Sequence, residues 1–342
     1  MTRIAVVTGG STPERDVAFA GAAQVVAALR ARGHEVTTID SASGEMSRTA
    51  EARYLVSSVP TRPPSHEALR VLAASELRAA LVTLPAVRDA DLVFPVLHGR
   101  QGEGGELQSL LELAGIPYAG SGPLGSAIAM DKDIAKRLFR AAGVATADWA
   151  MWPAGPTELA GLGLPLIVKP VNVGSTVGLT VVQSLDEIED AVALAQGYDA
   201  AVMFEAFVPG REFTVGVLGE RALAVGEIIP QHDIFDYECK YTPGMAREIF
   251  PADIPPKLTT RLQDQALAVH RALKLRDFSR IDFRIAEDGV PLCLEANTLP
   301  GLTGTSLLPQ SAAAAGIDFA TLCDTIRKLA LARRGSRNKV RS

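Results

Sequence analysis

The first third of the chain alternates short apolar runs with helix-like patterns, and this alternation constrains the fold more than any other feature. Residues 4–8, 35–39 and 92–97 are typical of buried strands, and the Ala-rich segment 17–32 is typical of a helix. Strands that alternate with helices predict a parallel sheet with helices on both faces. Because ligands bind at the carboxyl ends of the strands in such sheets, we expect site residues in the loops after the first and last of these strands.

The chain of 342 residues is longer than one hydrophobic core usually organises, so two or three domains are expected. Gly- and Pro-containing sequence interrupts the patterns near Gly122 and again at 209–210. These breaks predict domains at residues 1–121, 122–209 and 210–342.

Composition excludes several classes of protein. With 47% hydrophobic and 21% charged residues, the chain is typical of a globular protein and not of a disordered one. A net charge of -5 offers no general attraction to nucleic acid or anionic lipid, and no run approaches the roughly 20 apolar residues of a membrane span, so neither partner is expected. The three cysteines lack CxxC spacing, which argues against a disulfide framework or a zinc site and favours the cytoplasm.

Two segments of alternating polarity flank residues 288–289 and predict a β-hairpin. If Asp288 and Gly289 form a two-residue turn, Phe283 lies opposite Leu294 and Ile285 opposite Leu292. These pairs would form the apolar face of the hairpin.

The same register places Asp282 opposite Glu295 and Arg280 opposite Asn297 on the polar face. Two facing carboxylates repel each other unless a cation lies between them. Two carboxylates and one amide favour a hard ion, so we interpret Asp282, Glu295 and Asn297 as a candidate Mg²⁺ site, with Mn²⁺ as an alternative. An ordinary solvated sheet face is the other interpretation that this segment leaves open.

A candidate phosphate site lies near the middle of the chain. A predicted strand ends at Lys169, and the small-residue loop 173–178 that follows can bring backbone N–H groups close to phosphate oxygens. Its spacing is not that of a P-loop, and a plain turn is the alternative. The apolar strand 202–208 can present backbone groups to an adenine edge, with Glu212 beyond it for ribose hydroxyls; a core strand without a ligand is the alternative.

Seven motifs in this order resemble the ATP-grasp superfamily and, within it, the D-alanine:D-alanine ligase family. They are GGxxxER at 9–15, HGxxGE at 98–103, GIPYAGS at 115–121, MDK at 130–132, VKPxxxGS at 168–175, YExKY at 237–241 and EANTxPG at 295–301. The resemblance implies a three-domain ATP-grasp fold, in which an N-terminal parallel α/β domain precedes two α+β domains that sandwich ATP.

The resemblance also implies an activity. ATP would phosphorylate the carboxylate of one D-alanine, and the amine of a second D-alanine would attack the acyl phosphate. The products would be D-alanyl-D-alanine, ADP and phosphate, for peptidoglycan precursor synthesis by a homodimer. The alternatives are a ligase that joins D-alanine to another amino or hydroxy acid, and a non-catalytic nucleotide-binding relative.

The resemblance assigns candidate residues to each role. Those expected to bind the nucleotide are Lys132, Lys169, Ser175, Glu205, Ala206, Phe207, Val208, Glu212 and Lys240. Those expected to act on the substrates or the oxyanion are Glu14, His98, Ser175, Tyr241, Arg280, the N–H of Gly301 and Ser306. The metal ligands are again Asp282, Glu295 and Asn297.

Within that assignment, Glu14 receives the ammonium of the first D-alanine and is linked to Tyr241 and Ser306. Segment 234–241 is expected to be a mobile lid, and Tyr241 favours an amine as the second substrate. Three residues depart from the family pattern, and they are Ala18 for Ser, Gly104 for Asp and Ala206 for Lys. We expect them to affect the first-substrate loop, the His98 loop and the adenine environment respectively.

Overall fold

The computed structural model describes residues 1–60, 64–232, 234–235, 239–240, 242, 244–286 and 288–341, and of residues 66 and 334–341 it describes the backbone. Within these residues it contains three sheets, of four, four and five strands in chain order. None of the helices in the described ranges is both long and apolar enough to cross a lipid bilayer.

The N-terminal sheet is parallel apart from one short edge strand. Its strands are β1 (Arg3–Thr8), β2 (Glu35–Asp40), β3 (Gly44–Glu45) and β4 (Leu92–Pro95). Strand β1 pairs in parallel with both β2 and β4, whereas β3 pairs antiparallel with β2. The parallel sheet predicted from the alternation is therefore confirmed, and the loops after β1 and β4 meet at the same edge of the sheet.

Helices cover this sheet. They are α1 (Arg15–Ala31), α2 (Arg48–Tyr54), α3 (His66–Ser75), α4 (Pro85–Arg88), α5 (Arg100–Glu103) and α6 (Glu106–Leu113), with a 3-10 turn at Arg78–Thr83. Buried side chains of α1, among them Val25 and Leu29, pack with Ile4 and Phe94 of the sheet. Burial of this apolar helix face supplies most of the local stability of such a layer.

The central sheet is antiparallel throughout. It follows helices α7 (Pro123–Met130) and α8 (Lys132–Ala141) and comprises β5 (Trp149–Met151), β6 (Leu166–Pro170), β7 (Thr180–Val182) and β8 (Val202–Ala206) in the order β5-β8-β6-β7. Its other helical segments are α9 (Pro156–Leu162), a 3-10 turn at Leu185–Glu187 and α10 (Ile188–Gln196). Val168 and Phe204 of the sheet pack against Ile188 and Val192 of α10, which leaves the opposite face free to line a site.

The C-terminal sheet is antiparallel and has five strands. They are β9 (Arg211–Leu218), β10 (Arg221–Pro230), β11 (Ala246–Ile249), β12 (Phe278–Ile285) and β13 (Pro291–Asn297), in the order β11-β10-β9-β12-β13. Helix α11 (Pro256–Ala272) buries Leu262 and Val269 against Phe213 and Phe283 on one face. The polar side chains of β12 therefore occupy the opposite face.

Two helices complete the chain, α12 (Leu307–Ala314) and α13 (Phe319–Arg341). Leu322, Cys323 and Ile326 of α13 are buried in the same core as Ile4 and Leu29. The end of the chain thus packs on the N-terminal sheet and joins the two ends of the molecule.

The predicted hairpin of β12 and β13 is present, but its register changes part-way along. Asp282 pairs with Glu295 and Arg280 with Asn297, as predicted. Beyond Asp282, Phe283 pairs with Cys293 and Ile285 with Pro291, so the predicted pairs Phe283–Leu294 and Ile285–Leu292 are wrong.

The cause of the register change is a β-bulge at Leu294, where β13 has one residue more than β12. The turn of the hairpin also differs from the predicted turn, because the N–H of Gly289 donates to the carbonyl of Ala286 at 3.0 Å. Leu294 and Glu295 are both partly exposed and line one cavity, whereas Cys293 and Ala296 are buried. The bulge thus adds an apolar side chain to the polar face.

Candidate nucleotide and substrate site

Two adjoining cavities lie where the three sheets meet. The central cavity, of about 130 Å³, lies between the central and C-terminal sheets, and the N-terminal cavity, of about 460 Å³, lies between the N-terminal domain and the C-terminal sheet. Among the described residues, five line both cavities, and these are Gly174, Ser175, Phe235, Lys240 and Arg280. The two cavities therefore form one continuous site.

Every candidate site residue within the described ranges lines at least one of these cavities. The central cavity is lined by Lys132, Lys169, Ser175, Glu205, Ala206, Phe207, Val208, Glu212, Lys240, Arg280, Asp282 and Glu295. The N-terminal cavity is lined by Glu14, His98, Ser175, Lys240, Arg280, Asn297, Gly301 and Ser306. Tyr241 lies outside the described residues, as do residues 236–238 of the expected lid at 234–241.

The oxygen cluster on the hairpin is held by neighbouring donors. Asp282 accepts from Arg280 at 2.9 Å (Nε to Oδ1) and 2.8 Å (Nη2 to Oδ2). Its Oδ1 also accepts from the hydroxyl of Thr214 at 2.7 Å, and its Oδ2 accepts from Nδ2 of Asn297 at 3.0 Å. Burial alone would raise the pKa of Glu295, but Lys132, Lys240 and Arg280 hold it below its usual range.

This donor set fits a hard divalent cation. The described ranges contain no group of three or more His, Cys, Asp or Glu side chains that could hold a metal ion by themselves. Asp282, Glu295 and the amide oxygen of Asn297 would supply a partial oxygen shell, which Mg²⁺ typically completes with water and phosphate oxygens. The ionised Glu295 is the form that such an ion requires.

A buried chain of charges forms the back of the central cavity. The carboxylate of Glu205 accepts hydrogen bonds from the ammonium groups of both Lys136 and Lys169. Burial opposes ionisation of Glu205, but Lys169 and Lys136 together lower its pKa to about 2. The Glu205 side chain thus orients two lysines, which was not predicted from the sequence.

Sequence reasoning missed Lys136, which is completely buried. Its ammonium also donates to the hydroxyl of Thr146 at 2.7 Å, and that hydroxyl donates to the carbonyl of Cys293 at 2.7 Å. The available signal was spacing, because Lys136 follows Lys132 by four residues on α8 and so lies on the same helix face.

Lys132 begins α8 at the floor of the cavity. Its Nζ donates to the carbonyl of Val173 at 2.7 Å and lies 3.9 Å from Oε2 of Glu295. Burial lowers its pKa, while the carboxylate of Glu295 opposes that shift. Lys132 therefore links the Gly-rich loop to the candidate metal ligands.

The end of the central cavity near Phe207 and Val208, where adenine is expected, is supported by a residue that the motifs did not identify. Arg284 donates to the carbonyl of Val208 at 2.9 Å, and its guanidinium lies 5.4 Å from the centre of the Phe207 ring. It also lies 3.5 Å from the carboxylate of Glu212. Burial raises the pKa of Glu212 to about 7, against the opposing charge of Arg284.

The Gly-rich loop reaches across to the N-terminal domain. The hydroxyl of Ser175 donates to the carboxylate of Glu14. Ser175 and Thr176 have φ values of 55° and 64°, a left-handed conformation that side chains other than glycine adopt rarely. A strained backbone persists where surrounding contacts fix it. Here the contacts are the hydrogen bond from Ser175 to Glu14 and a 3.2 Å hydrogen bond from the Thr176 hydroxyl to the carbonyl of Phe235.

The loop that carries Glu14 is fixed by a buried ion pair. Arg15 donates to both oxygens of Asp40, at 3.0 and 2.6 Å, and to the carbonyl of Gly10. Gly9 has φ of 80°, and a Cβ there would lie 2.3 Å from a carboxylate oxygen of Asp40. The two glycines after β1 therefore let the loop close around the Arg15–Asp40 pair and present Glu14 to the cavity.

His98 follows β4 and is buried against the N-terminal cavity. Burial lowers its pKa, so its ring is neutral at pH 7. Its Nε2 has no hydrogen-bond partner among the described residues. This nitrogen is available to a group that enters the cavity.

The loop after β13 is tightly folded around Ser306. The Oγ of Ser306 accepts from the N–H of Thr303 at 3.1 Å and lies 2.8 Å from the Thr303 hydroxyl. A Cβ at Gly301 would lie 2.7 Å from that Oγ, so a side chain there would displace the Ser306 hydroxyl. The backbone of Gly301 is thereby kept against the N-terminal cavity.

The three departures from the family pattern have different surroundings. A Cβ at Gly104 would lie 2.5 Å from the carbonyl oxygen of Arg100, which explains why glycine stands there. Ala18 is completely buried in α1. Ala206 lines the central cavity, where the β5–β8–β6 pairing fixes its backbone.

Comparisons with known proteins agree over nearly the whole chain. The family described as D-ala D-ala ligase N-terminus matches residues 3–121, and the family described as D-ala D-ala ligase C-terminus matches residues 138–328. A D-alanine--D-alanine ligase of Desulfotalea psychrophila is 40% identical over 340 residues, which cover 96% of this chain and 95% of that protein.

Solved structures give the same result. The D-alanine--D-alanine ligase from Bacillus anthracis complexed with ATP has a TM-score of 0.76 at 29% identity and covers 98% of this chain and 99% of that one. The VanG D-Ala:D-Ser ligase from Enterococcus faecalis has a TM-score of 0.77 at 30% identity and covers 96% of this chain and 99% of that one. The ATP-grasp fold expected from the motifs is thus confirmed, and the chain belongs to the D-alanine:D-alanine ligase family.

Proposed function

We propose that the protein is an ATP-dependent ligase that joins two D-alanines to D-alanyl-D-alanine, with release of ADP and phosphate. The observation that carries the proposal is the continuity of the two cavities through Ser175, Lys240 and Arg280. A nucleotide in the central cavity would bring its terminal phosphate to these residues. An amino acid in the N-terminal cavity would bring its carboxylate to the same place.

The chemistry that suits this arrangement is carboxylate activation. A carboxylate oxygen of the first D-alanine attacks the γ-phosphorus, and ADP leaves. The amine of the second D-alanine then attacks the carbonyl of the acyl phosphate, and phosphate leaves with that carboxylate oxygen. Phosphoryl transfer asks the protein mainly to position the groups and to neutralise charge.

On this proposal, the lysines of the central cavity hold the phosphates. Lys132, Lys169 and Lys240 supply cationic donors, and the backbone of the Gly-rich loop at Ser175 supplies N–H groups. Asp282, Glu295 and Asn297 would hold Mg²⁺, which when bound neutralises the charge that develops between the two outer phosphates. Ala206 to Val208 offer backbone groups to the adenine, and Glu212 accepts from the ribose.

The N-terminal cavity holds the two amino acids. Glu14 pairs with the ammonium of the first D-alanine, and Nε2 of His98 faces the substrate carboxyls. Arg280 and the N–H of Gly301 stabilise the oxyanion of the tetrahedral intermediate, which is the charge that forms only along the reaction. Ser306 keeps the Gly301 loop closed.

Three further parts of the proposal come from the sequence. Tyr241 in the lid favours an amine over a hydroxyl as the second nucleophile. The protein acts as a homodimer, which sedimentation at micromolar concentration would test. It works in the cytoplasm, where ATP is supplied.

The test measures ADP release by the purified protein with Mg-ATP and each of D-alanine, L-alanine, D-serine and D-lactate, with mass analysis of every product. We expect ADP release that depends on D-alanine, with D-alanyl-D-alanine as the product. Preference for a mixture of D-alanine with D-serine or D-lactate would move the assignment to a ligase with a different second substrate. Absence of ADP with all four, together with tight ATP binding, would contradict a catalytic role.

A further inference from the structure

Glu103, at the end of α5, connects two parts of the site that are far apart in sequence. It lines the N-terminal cavity beside His98 and Gly301. Its Oε2 accepts from the N–H of Gly99 at 3.1 Å, and its Oε1 accepts from the N–H of Leu299 at 3.3 Å. One carboxyl group thus binds the loop after β4 to the loop after β13.

His98 acts on the same peptide segment. The backbone of Leu299 lies near its ring and raises its pKa, against the larger effect of burial. The side chain of Leu299 is buried in the core shared by the N-terminal sheet and α13. Leu299 is therefore fixed by its backbone N–H to Glu103 of the N-terminal domain and by its side chain to the core.

Leu299 is two residues before Gly301, and only Pro300 lies between them. Proline fixes its own φ near -65° and restricts the residue before it to extended conformations. An anchored Leu299 thus transmits its position through a stiff segment to Gly301. A flexible residue at 300 would not transmit it as well.

We propose that Glu103 is a positioning residue for the oxyanion donor, because it holds Leu299 so that the N–H of Gly301 faces the reacting carbonyl. The inference rests on the proposed function, since it assigns Gly301 the oxyanion. In this role Glu103 acts through Leu299 and not by direct contact with the nucleotide or the amino acids. Glu103 also makes the oxyanion donor depend on the N-terminal domain, which supplies the first-substrate residue Glu14.

Both oxygens of Glu103 are needed for this role. Burial and the like charge of Glu14 raise its pKa to about 8, yet in either protonation state each oxygen can accept one N–H. Glutamine has the same size but presents one acceptor and one NH₂ group, so it would face one of the two backbone donors with a donor. Aspartate is one methylene shorter and cannot span from Gly99 to Leu299.

The experiment compares wild type, Glu103→Gln and the control Glu106→Gln, which removes an exposed charge at the start of α6. For each we would measure kcat, KM for ATP, KM for D-alanine and the affinity for a phosphinate analogue of D-alanyl-D-alanine in the presence of ATP. Such an analogue mimics the tetrahedral intermediate and depends on the oxyanion donors. We expect Glu103→Gln to lower kcat and the analogue affinity by about 100-fold, as for a misplaced or lost donor, with KM for ATP within about twofold of wild type.

The results separate the possibilities. A wild-type kcat and analogue affinity in Glu103→Gln would overturn the inference, and so would a loss of ATP affinity as large as the loss of kcat, because that pattern indicates general structural damage. If Glu103→Gln does not fold, Glu103→Asp receives the same measurements.

Amide hydrogen exchange in the wild type adds a test that needs no variant. The inference requires a protected Leu299 N–H, and rapid exchange there would contradict it. Absence of dipeptide synthesis by the wild type would instead refute the proposed function.

Discussion

Replacement of Lys136 by methionine should destabilise the protein and weaken ATP binding together. Lys136 is 0% exposed and Glu205 is 4% exposed, so water contributes little to their solvation. Methionine has nearly the same length but no charge and no donor. The variant leaves Glu205 with Lys169 as its only ammonium partner among the described residues.

The magnitude follows from the burial of this cluster. Removal of one member of a buried ion pair typically costs about 3–5 kcal/mol. We expect the lower end, about 3 kcal/mol, because Lys169 still neutralises Glu205. With a urea m-value of about 3 kcal/mol/M for a chain of this size, the unfolding midpoint should fall by about 1 M.

The nucleotide effect has a separate cause. Without Lys136, the carboxylate of Glu205 draws Lys169 more strongly and makes its ammonium less available to phosphate. We expect about a tenfold weaker affinity for ATP, equivalent to about 1.4 kcal/mol. KM for D-alanine should change little, because Lys136 does not line the N-terminal cavity.

Urea unfolding and calorimetric titration with ATP would measure both effects. Arg137→Met is the matched control, because Arg137 lies on the same helix with its side chain 61% exposed. A double-mutant cycle with Glu205→Gln would isolate the pairwise term. A midpoint for Lys136→Met equal to that of Arg137→Met would refute the argument from burial.

Three further changes test other parts of the site. Glu295→Gln should lower turnover by at least about 100-fold without change of volume, because it removes one candidate metal charge partner; activity near wild type would contradict the metal assignment. Asp40→Asn should raise KM for D-alanine more than KM for ATP, since Arg15 loses the partner that fixes the Glu14 loop; equal changes in both constants would argue against that role. Burial lowers the pKa of His270 to about 4 from 6.5. Between pH 6.5 and pH 4 the unfolded chain therefore binds more protons than the folded chain. The free energy of unfolding should fall as pH decreases through this range, by up to about 1.4 kcal/mol per pH unit. His270→Gln should flatten that slope in urea unfolding, and an unchanged slope would show that another group causes it.

The sequence predicted the presence of the β12–β13 hairpin better than it predicted the register of the two strands. Alternating polarity identifies two strands and their polar face, and it correctly pairs Asp282 with Glu295. It cannot reveal the bulge, because Leu294 fits an apolar position in a regular strand equally well. Only the packing of both strands determines that Leu294 turns to the cavity.

Buried charge is the other part that the sequence did not predict. The family resemblance assigned both Lys169 and Glu205 to nucleotide binding. Their mutual contact and the contribution of Lys136 depend on how α8 packs on β6 and β8. Glu103 is a similar case, since its two partners, Gly99 and Leu299, are separated by 200 residues of sequence. Local patterns carry no information on such contacts.

The assignment of residues to the two cavities was predictable from the motifs for a physical reason. Five of the seven motifs combine glycine or proline, which fixes a loop, with a polar side chain that the loop presents. His98 and Gly301 illustrate this, because the loops after β4 and β13 place both at one cavity. Tyr241 stays a prediction, since it lies outside the described residues.

The most direct test of acyl phosphate formation follows the oxygen atoms of the substrate. D-alanine labelled with ¹⁸O in its carboxylate would be turned over with unlabelled Mg-ATP, and the phosphate released would be analysed by mass. Because the carboxylate oxygen that attacks the γ-phosphorus leaves with phosphate, we expect one ¹⁸O atom in each phosphate and one fewer in the peptide carbonyl. Unlabelled phosphate released in step with dipeptide would contradict an acyl phosphate formed where the two cavities meet.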